Sequence, residues 1–122
     1  MNREEYLEFH KTLCNNAREL SYKKNCDYAG KKGLEPFANF VRCEQMGITT
    51  TVKGMLVRMT DKFSRLSTFS ESGSFEVADE KFEDTILDII NYSCLLAAYV
   101  KSHGPCDCGP NDCGDTDCER NS

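Results

Sequence analysis

Four polar side chains recur on one face of a predicted helix in the stretch 76–100. Glu80, Asp84 and Asp88 follow one another every four residues, and Asn91 falls on the same stripe. Carboxylates at this spacing repel one another unless a cation compensates them. The cation can be a divalent metal ion or the basic face of a neighbouring helix. Mg²⁺ and Mn²⁺ are the metals that suit oxygen-only ligands of this kind.

A second group of charged residues lies on the preceding predicted helix. Arg58, Asp61, Lys62 and Arg65 occupy about a third of its circumference by helical spacing. Guanidinium and ammonium groups are matched to phosphate oxygens, and Asp61 would complete a metal site or orient an arginine. The alternative is a row of salt bridges between this helix and the acidic stripe, with no ligand. Both hypotheses predict that the two helices face each other.

A third group combines lysines and aromatic rings between residues 23 and 40. Its members are Lys23, Lys24, Tyr28, Phe37 and Phe40. The lysines would contact phosphates while an aromatic ring stacks on a base. Alternatively, the lysines are solvated and the phenylalanines belong to the core.

Hydrophobic periodicity predicts an all-α bundle of three long helices and one or two short ones. The first helix starts at Asn2, which forms a capping-box pattern with Glu5, and its apolar periodicity runs to about Lys24. We expect the helix to end within residues 23–33, where Gly30 and Gly33 stop it. A short helix is expected before Gly47.

The two remaining long helices carry the charged groups described above. One runs from about Thr51 to Thr68, with Thr49 or Thr50 as its N-cap. We expect its apolar face to consist of Met55, Leu56, Met59, Phe63 and Leu66. The last helix starts at Asp79 and ends near Ser102.

Length and charge limit the classes of protein and partner. A chain of 122 residues is most simply one domain, here residues 1–102, and is small enough that a homo-oligomer would complete its core. A net charge of −5 argues against direct DNA binding and against an anionic membrane as partner. The start of the chain lacks the pattern of a secretory signal, and no apolar stretch reaches membrane-spanning length. We expect a cytoplasmic protein.

The residues from 103 to 122 differ in composition from the rest of the chain. They contain four cysteines within a Gly- and Pro-rich sequence, at Cys106, Cys108, Cys113 and Cys118. We expect a flexible tail, because almost no apolar side chain other than cysteine is present. A zinc or redox site and disulfides formed in air are the alternatives, although the spacing lacks the C-x2-C pairs of common zinc modules.

Four segments together resemble a known family, the nucleotide modification associated domain type 1 of phages and bacteria. They are KKNCDYAG at 23–30, PFANF at 36–40, LVRMTDKFSRL at 56–66 and VADEKFEDTILDIINY at 77–92. The resemblance covers about residues 5 to 100. This family is similar to the all-α nucleoside triphosphate pyrophosphatases, the MazG and dimeric dUTPase group. The resemblance therefore implies a MazG-like bundle and a phage-type nucleotide-metabolism protein, located in the host cytoplasm if phage-encoded.

The resemblance also implies roles for individual residues. Mg²⁺ (or Mn²⁺) would be held by Glu80, Asp84, Asp88 and Asp61, with the three aspartates as catalytic residues. Phosphates would be bound by Lys24, Arg58, Lys62 and Arg65, and the base by Tyr28, Phe37, Phe40 and Asn91. The expected reaction converts a (deoxy)nucleoside triphosphate to monophosphate and pyrophosphate.

The first metal-binding helix of those enzymes carries an E-x-x-E motif, whereas this chain has Arg58-x-x-Asp61. Two hypotheses are therefore open. One is a Mg²⁺-dependent pyrophosphohydrolase, and the other is a non-catalytic nucleotide-binding or host-inhibitory phage protein.

Overall fold

Four α-helices make up the part of the chain that the structure describes. The computed structural model describes the backbone of residues 1–29, 36–72 and 79–103, and side chains in 1–24, 36–72 and 82–103. The helices are α1 (Arg3–Ala29), α2 (Ala38–Gln45), α3 (Thr51–Ser72) and α4 (Asp79–His103). These ranges contain no strand, so the predicted all-α fold with three long helices and a short one is confirmed. The four tail cysteines lie outside the described residues.

Helix α1 begins and ends as predicted. The backbone N–H of Glu5 donates to Oδ1 of Asn2 over 2.8 Å, which makes Asn2 the N-cap. The helix continues beyond the apolar periodicity and ends at Ala29, inside the predicted segment 23–33 and directly before Gly30. The residues between Lys24 and Ala29 include no glycine or proline, so nothing in the local sequence stops the helix before Gly30.

The corner between α2 and α3 is held by hydrogen bonds to two side chains. Gly47 adopts a positive φ of 75°, which a residue without a Cβ tolerates best. Both the backbone N–H and the hydroxyl of Thr51 donate to Oε1 of Glu44, over 2.7 and 3.0 Å. The N–H of Lys53 donates to Oγ1 of Thr50 over 3.2 Å. Thr50 is thus the N-cap of α3, one of the two residues expected.

Helix α4 packs against both α1 and α3, and α2 packs mainly on α3. The buried apolar side chains of the described residues are Ala17, Phe37, Met55 and Leu87. The expectation that Leu56 and Phe63 belong to the core face of α3 is wrong, because they are 45% and 51% exposed. The buried side of α3 is centred instead on Met55 and Lys62. Leu56 and Phe63 lie at the edge of that side. Helix α3 also continues past the predicted end at residue 68 to Ser72.

Aromatic contacts join α2 to α4. Phe37 meets Tyr99 edge-on at 5.3 Å and His103 edge-on at 5.6 Å, and Tyr99 and His103 stack at 4.2 Å. This Phe37–Tyr99–His103 cluster joins the start of α2 to the end of α4.

None of the described helices combines the length and apolar character needed to cross a bilayer.

Candidate functional site

A carboxylate on α4 is shared between lysines from two other helices. Nζ of Lys24, on α1, donates to Oδ1 of Asp88 over 2.8 Å, and Nζ of Lys62, on α3, lies 3.0 Å from Oδ2. The side chains of Asp88 and Lys62 are only 15% and 11% exposed, whereas that of Lys24 is 40% exposed. We call these three residues the lysine–aspartate cluster. It ties together the three long helices.

The electrostatics of the cluster explain why an ionised aspartate is tolerated there. Burial by itself would raise the pKa of Asp88. Hydrogen bonds from Lys24 and Lys62, together with the positive charges of both lysines, outweigh this effect and hold the pKa below its ordinary value. The carboxylate is therefore charged at neutral pH and compensates two ammonium groups, one of which is buried.

The cluster lies in the wall of a pocket of about 760 Å³. Residues of all four helices line this pocket, which we call the interhelical pocket. Its charged lining residues are Lys24, Arg42, Arg58, Lys62 and Asp88. Among the described side chains, four cations and one carboxylate thus line the pocket, although the chain as a whole is acidic. This local excess of positive charge favours an anionic ligand.

The same pocket has an aromatic wall. The rings of Phe40 and Tyr92 meet edge to face, with centroids 6.0 Å apart and an interplanar angle of 79°. Nε of Arg58 donates to the hydroxyl of Tyr92 over 3.3 Å, so an arginine adjoins the ring pair. Ile48 and Leu95 add apolar lining. A ligand that combines anionic and aromatic groups would match both parts of this surface.

One buried donor in the pocket lining has no partner. Nδ2 of Asn91 is inaccessible to solvent and makes no hydrogen bond with any residue that the structure describes. A buried donor left without an acceptor costs about 1–3 kcal/mol. Because Nδ2 is closed to solvent, it is also closed to a ligand that enters the pocket in this arrangement.

The structure brings together some of the predicted site residues. Lys24, Arg58, Lys62, Phe40, Asp88 and Asn91 all line the interhelical pocket. Because Lys62 and Asp88 form an ion pair, the expected facing of α3 and α4 is confirmed. Phe37 lies elsewhere, in the Phe37–Tyr99–His103 cluster. The side chains of Tyr28 and Glu80 lie outside the described residues.

The remaining predicted residues, Asp61, Arg65 and Asp84, are exposed on α3 and α4. Nε of Arg65 is 3.4 Å from Oδ2 of Asp61, and both side chains are more than half exposed. Asp84 is exposed and, among the described residues, has no ion-pair partner. Arg65 and Asp84 line a smaller pocket of about 400 Å³, to which Asp88 also contributes.

The described ligands of the predicted magnesium site are engaged by other charged groups. Both oxygens of Asp88 are engaged by ammonium groups, and Asp61 is paired with Arg65. Within residues 1–24, 36–72 and 82–103, no three His, Cys, Asp or Glu side chains come together as a metal-binding group would require. Glu80, the fourth predicted ligand, is outside these side chains, and the magnesium site stays a prediction.

Arg42 and Tyr92 are two of the lining residues that the sequence analysis did not single out. Tyr92 follows Asp88 by four residues, so helical spacing from the acidic stripe was a usable signal. Arg42 carried no such signal, because its place in the pocket depends on how α2 packs. Nη1 of Arg42 is 3.4 Å from Oδ1 of Asn39, another lining residue.

Comparisons with known proteins identify no relative of this chain. No family model, no curated protein and no solved structure matches the chain. The resemblance to the nucleotide modification associated domain therefore stays a prediction. The fold and the site together define an all-helical protein with a cationic, partly aromatic pocket between its helices.

Proposed function

We propose that this protein binds a nucleotide in the interhelical pocket. The observation that carries the proposal is the lining itself, in which four cationic side chains and one carboxylate adjoin an aromatic wall. The phosphate groups bind at the part of the pocket that Lys24, Lys62 and Arg58 line. The base lies against Phe40 and Tyr92.

Charge supports the phosphate end of this proposal. Lys62 is buried, and a buried ammonium group needs a negatively charged partner. Asp88 supplies one such partner but is shared with Lys24, and Oδ2 of Asp61 lies farther away, 4.0 Å from Nζ of Lys62. A phosphate provides several acceptor oxygens, so it can satisfy both lysines and Arg58 at once.

Ring chemistry supports the base end. Aromatic side chains bind nucleobases of any sequence by stacking, because every base has a π face. Asn91, which the sequence predicts to contact the base, also lines the pocket.

We favour binding without hydrolysis, as in a nucleotide sink or an inhibitory phage protein. Asp88 is held by two lysines, so it is poorly placed to coordinate Mg²⁺. Mg²⁺-dependent cleavage to monophosphate and pyrophosphate is the second candidate. The observation in its favour is the smaller pocket, where Asp84 and Asp88 both contribute carboxylates.

The test is calorimetric titration with the common ribonucleotides and deoxyribonucleotides, followed by assays for pyrophosphate and monophosphate with Mg²⁺ or Mn²⁺. We expect at least one nucleotide to bind, and Arg58→Gln to weaken it about tenfold through loss of a charge-assisted contact. Lys11→Gln is the matched control, because Lys11 is exposed on α1 and does not line the pocket. Absence of binding by every nucleotide would overturn the proposal. Turnover abolished by Asp84→Ala would favour the hydrolase.

We further propose that the protein is a homo-oligomer acting in the cytoplasm, where nucleotide pools are found. Tyr6 lies on the same side of α1 as the buried Ala17, yet it is 52% exposed. Phe9, at the edge of that side, is 53% exposed. A second copy of the chain that covers this continuation of the α1 packing surface would complete the core. Molar mass measured by light scattering tests this, and a monomer at all concentrations would contradict it.

A further inference from the structure

The lysine–aspartate cluster places its carboxylate where an anionic ligand would compete with it. Asp88 accepts from Lys24 with one oxygen and pairs with Lys62 through the other. Lys24, Lys62 and Asp88 all line the interhelical pocket. A phosphate that entered there would find the two ammonium groups already converging on an anion.

The side chains that line the pocket also supply positive charge, which in many enzymes a metal ion supplies to a bound polyphosphate. Lys24, Arg42, Arg58 and Lys62 bring four fixed positive charges to one pocket. A nucleoside triphosphate bound with Mg²⁺ has much of its negative charge already neutralised, so it gains less from such a lining than the free anion.

Resting on the nucleotide-binding function proposed above, we infer that the pocket takes its polyphosphate ligand free of metal, and that Asp88 is an internal counter-anion displaced by that ligand. Lys24 is the lysine that moves from Asp88 to the ligand phosphate, because its side chain is 40% exposed. Lys62 stays in place, because its side chain is only 11% exposed. The ligand phosphate takes over the position of the Asp88 carboxylate between the two lysines.

The two possible roles of Asp88 predict opposite effects of Asp88→Asn on ligand binding. If Asp88 competes with the ligand, Asp88→Asn removes a negative charge from the pocket and tightens binding, by about fivefold or more at low salt. If Asp88 coordinates a magnesium ion that carries the phosphates, the same substitution abolishes binding. The two roles cannot give the same result.

The experiment is calorimetric titration of the full chain with inorganic tripolyphosphate, first in EDTA and then in excess magnesium chloride. Tripolyphosphate is the probe because it has the phosphates but no base. We expect tighter binding in EDTA than in magnesium for the wild type, and tighter binding still for Asp88→Asn. Lys24→Gln should weaken binding about tenfold, whereas the control Lys11→Gln should leave it unchanged.

The outcomes separate this inference from the proposed function. Binding that requires magnesium, or that Asp88→Asn abolishes while circular dichroism shows a folded protein, overturns the inference and leaves nucleotide binding standing. No binding of tripolyphosphate or of any nucleotide under either condition overturns both. If Asp88→Asn fails to fold, the magnesium dependence of the wild type and the effect of Lys24→Gln decide the question.

Discussion

Two aspartates one turn apart on α4 have opposite environments. Asp88 is largely buried and held by two lysines, whereas Asp84 is exposed and has no ion-pair partner among the described residues. Helical periodicity puts both on one stripe and treats them as equivalent. The difference arises because α1 and α3 converge on α4 at Asp88. Packing between helices, rather than position within a helix, decides which carboxylate belongs to the site.

The largest expected effect separates the two aspartates by stability. Asp88→Ala leaves Lys62 buried without its close anionic partner, so we expect the free energy of unfolding to fall by about 3 kcal/mol. Asp84→Ala removes an exposed carboxylate and should change it by less than about 0.5 kcal/mol. Urea denaturation at neutral pH measures both values. Equal effects would show that the two environments do not differ as described.

Acidification should diminish that contrast. Because the pKa of Asp88 is lower in the folded than in the unfolded protein, the unfolded state takes up a proton first as the pH falls. The stabilisation is present above the ordinary aspartate pKa of about 3.9 and is lost as the pH falls through the lower folded value. We expect the difference in unfolding free energy between wild type and Asp88→Asn to shrink steadily below about pH 4. Urea denaturation at a series of acidic pH values measures it, and parallel curves would contradict the assignment.

A third carboxylate shows that exposure alone does not set the energetic role. Glu44 is exposed, yet it accepts two hydrogen bonds from Thr51 at the start of α3. Glu44→Ala should destabilise the protein by about 1 kcal/mol, as loss of a helix cap does. Glu19→Ala, an exposed site on α1, is the control and should have little effect. Thermal unfolding followed by circular dichroism compares the two, and similar melting temperatures would show that the Glu44 contacts add nothing.

Local signals in the sequence predict much of the fold. Asn2, Thr50 and Gly47 mark the first N-cap, the start of α3 and the end of α2, because caps and turns depend on residues within a few positions of one another. The end of α1 at Ala29 is predictable in the same way, because Gly30 follows it directly. The exposure of Leu56 and Phe63 depends on which side of α3 meets α4, and periodicity alone does not fix that angle to within a residue.

The candidate site was predictable in its residue types but not in its pairings. Lysines and arginines suited to phosphate were visible at Lys24, Arg58 and Lys62. The contact between Lys24 and Asp88 joins residues 64 positions apart, and it exists only because α1 crosses α4 at that level. The entry of Arg42 into the lining likewise depends on the packing of α2.

The Phe37–Tyr99–His103 cluster couples the pocket to the far end of the chain. Phe37 immediately precedes α2, which carries Phe40 and Arg42 to the pocket, while His103 is the last residue of α4. Proteolysis before Tyr99 would remove two of the three rings and leave the Phe40–Tyr92 pair as the described ring contact between α2 and α4. The residue that joins α4 to the Cys-rich sequence is therefore in ring contact with the residue that precedes part of the ligand-binding wall.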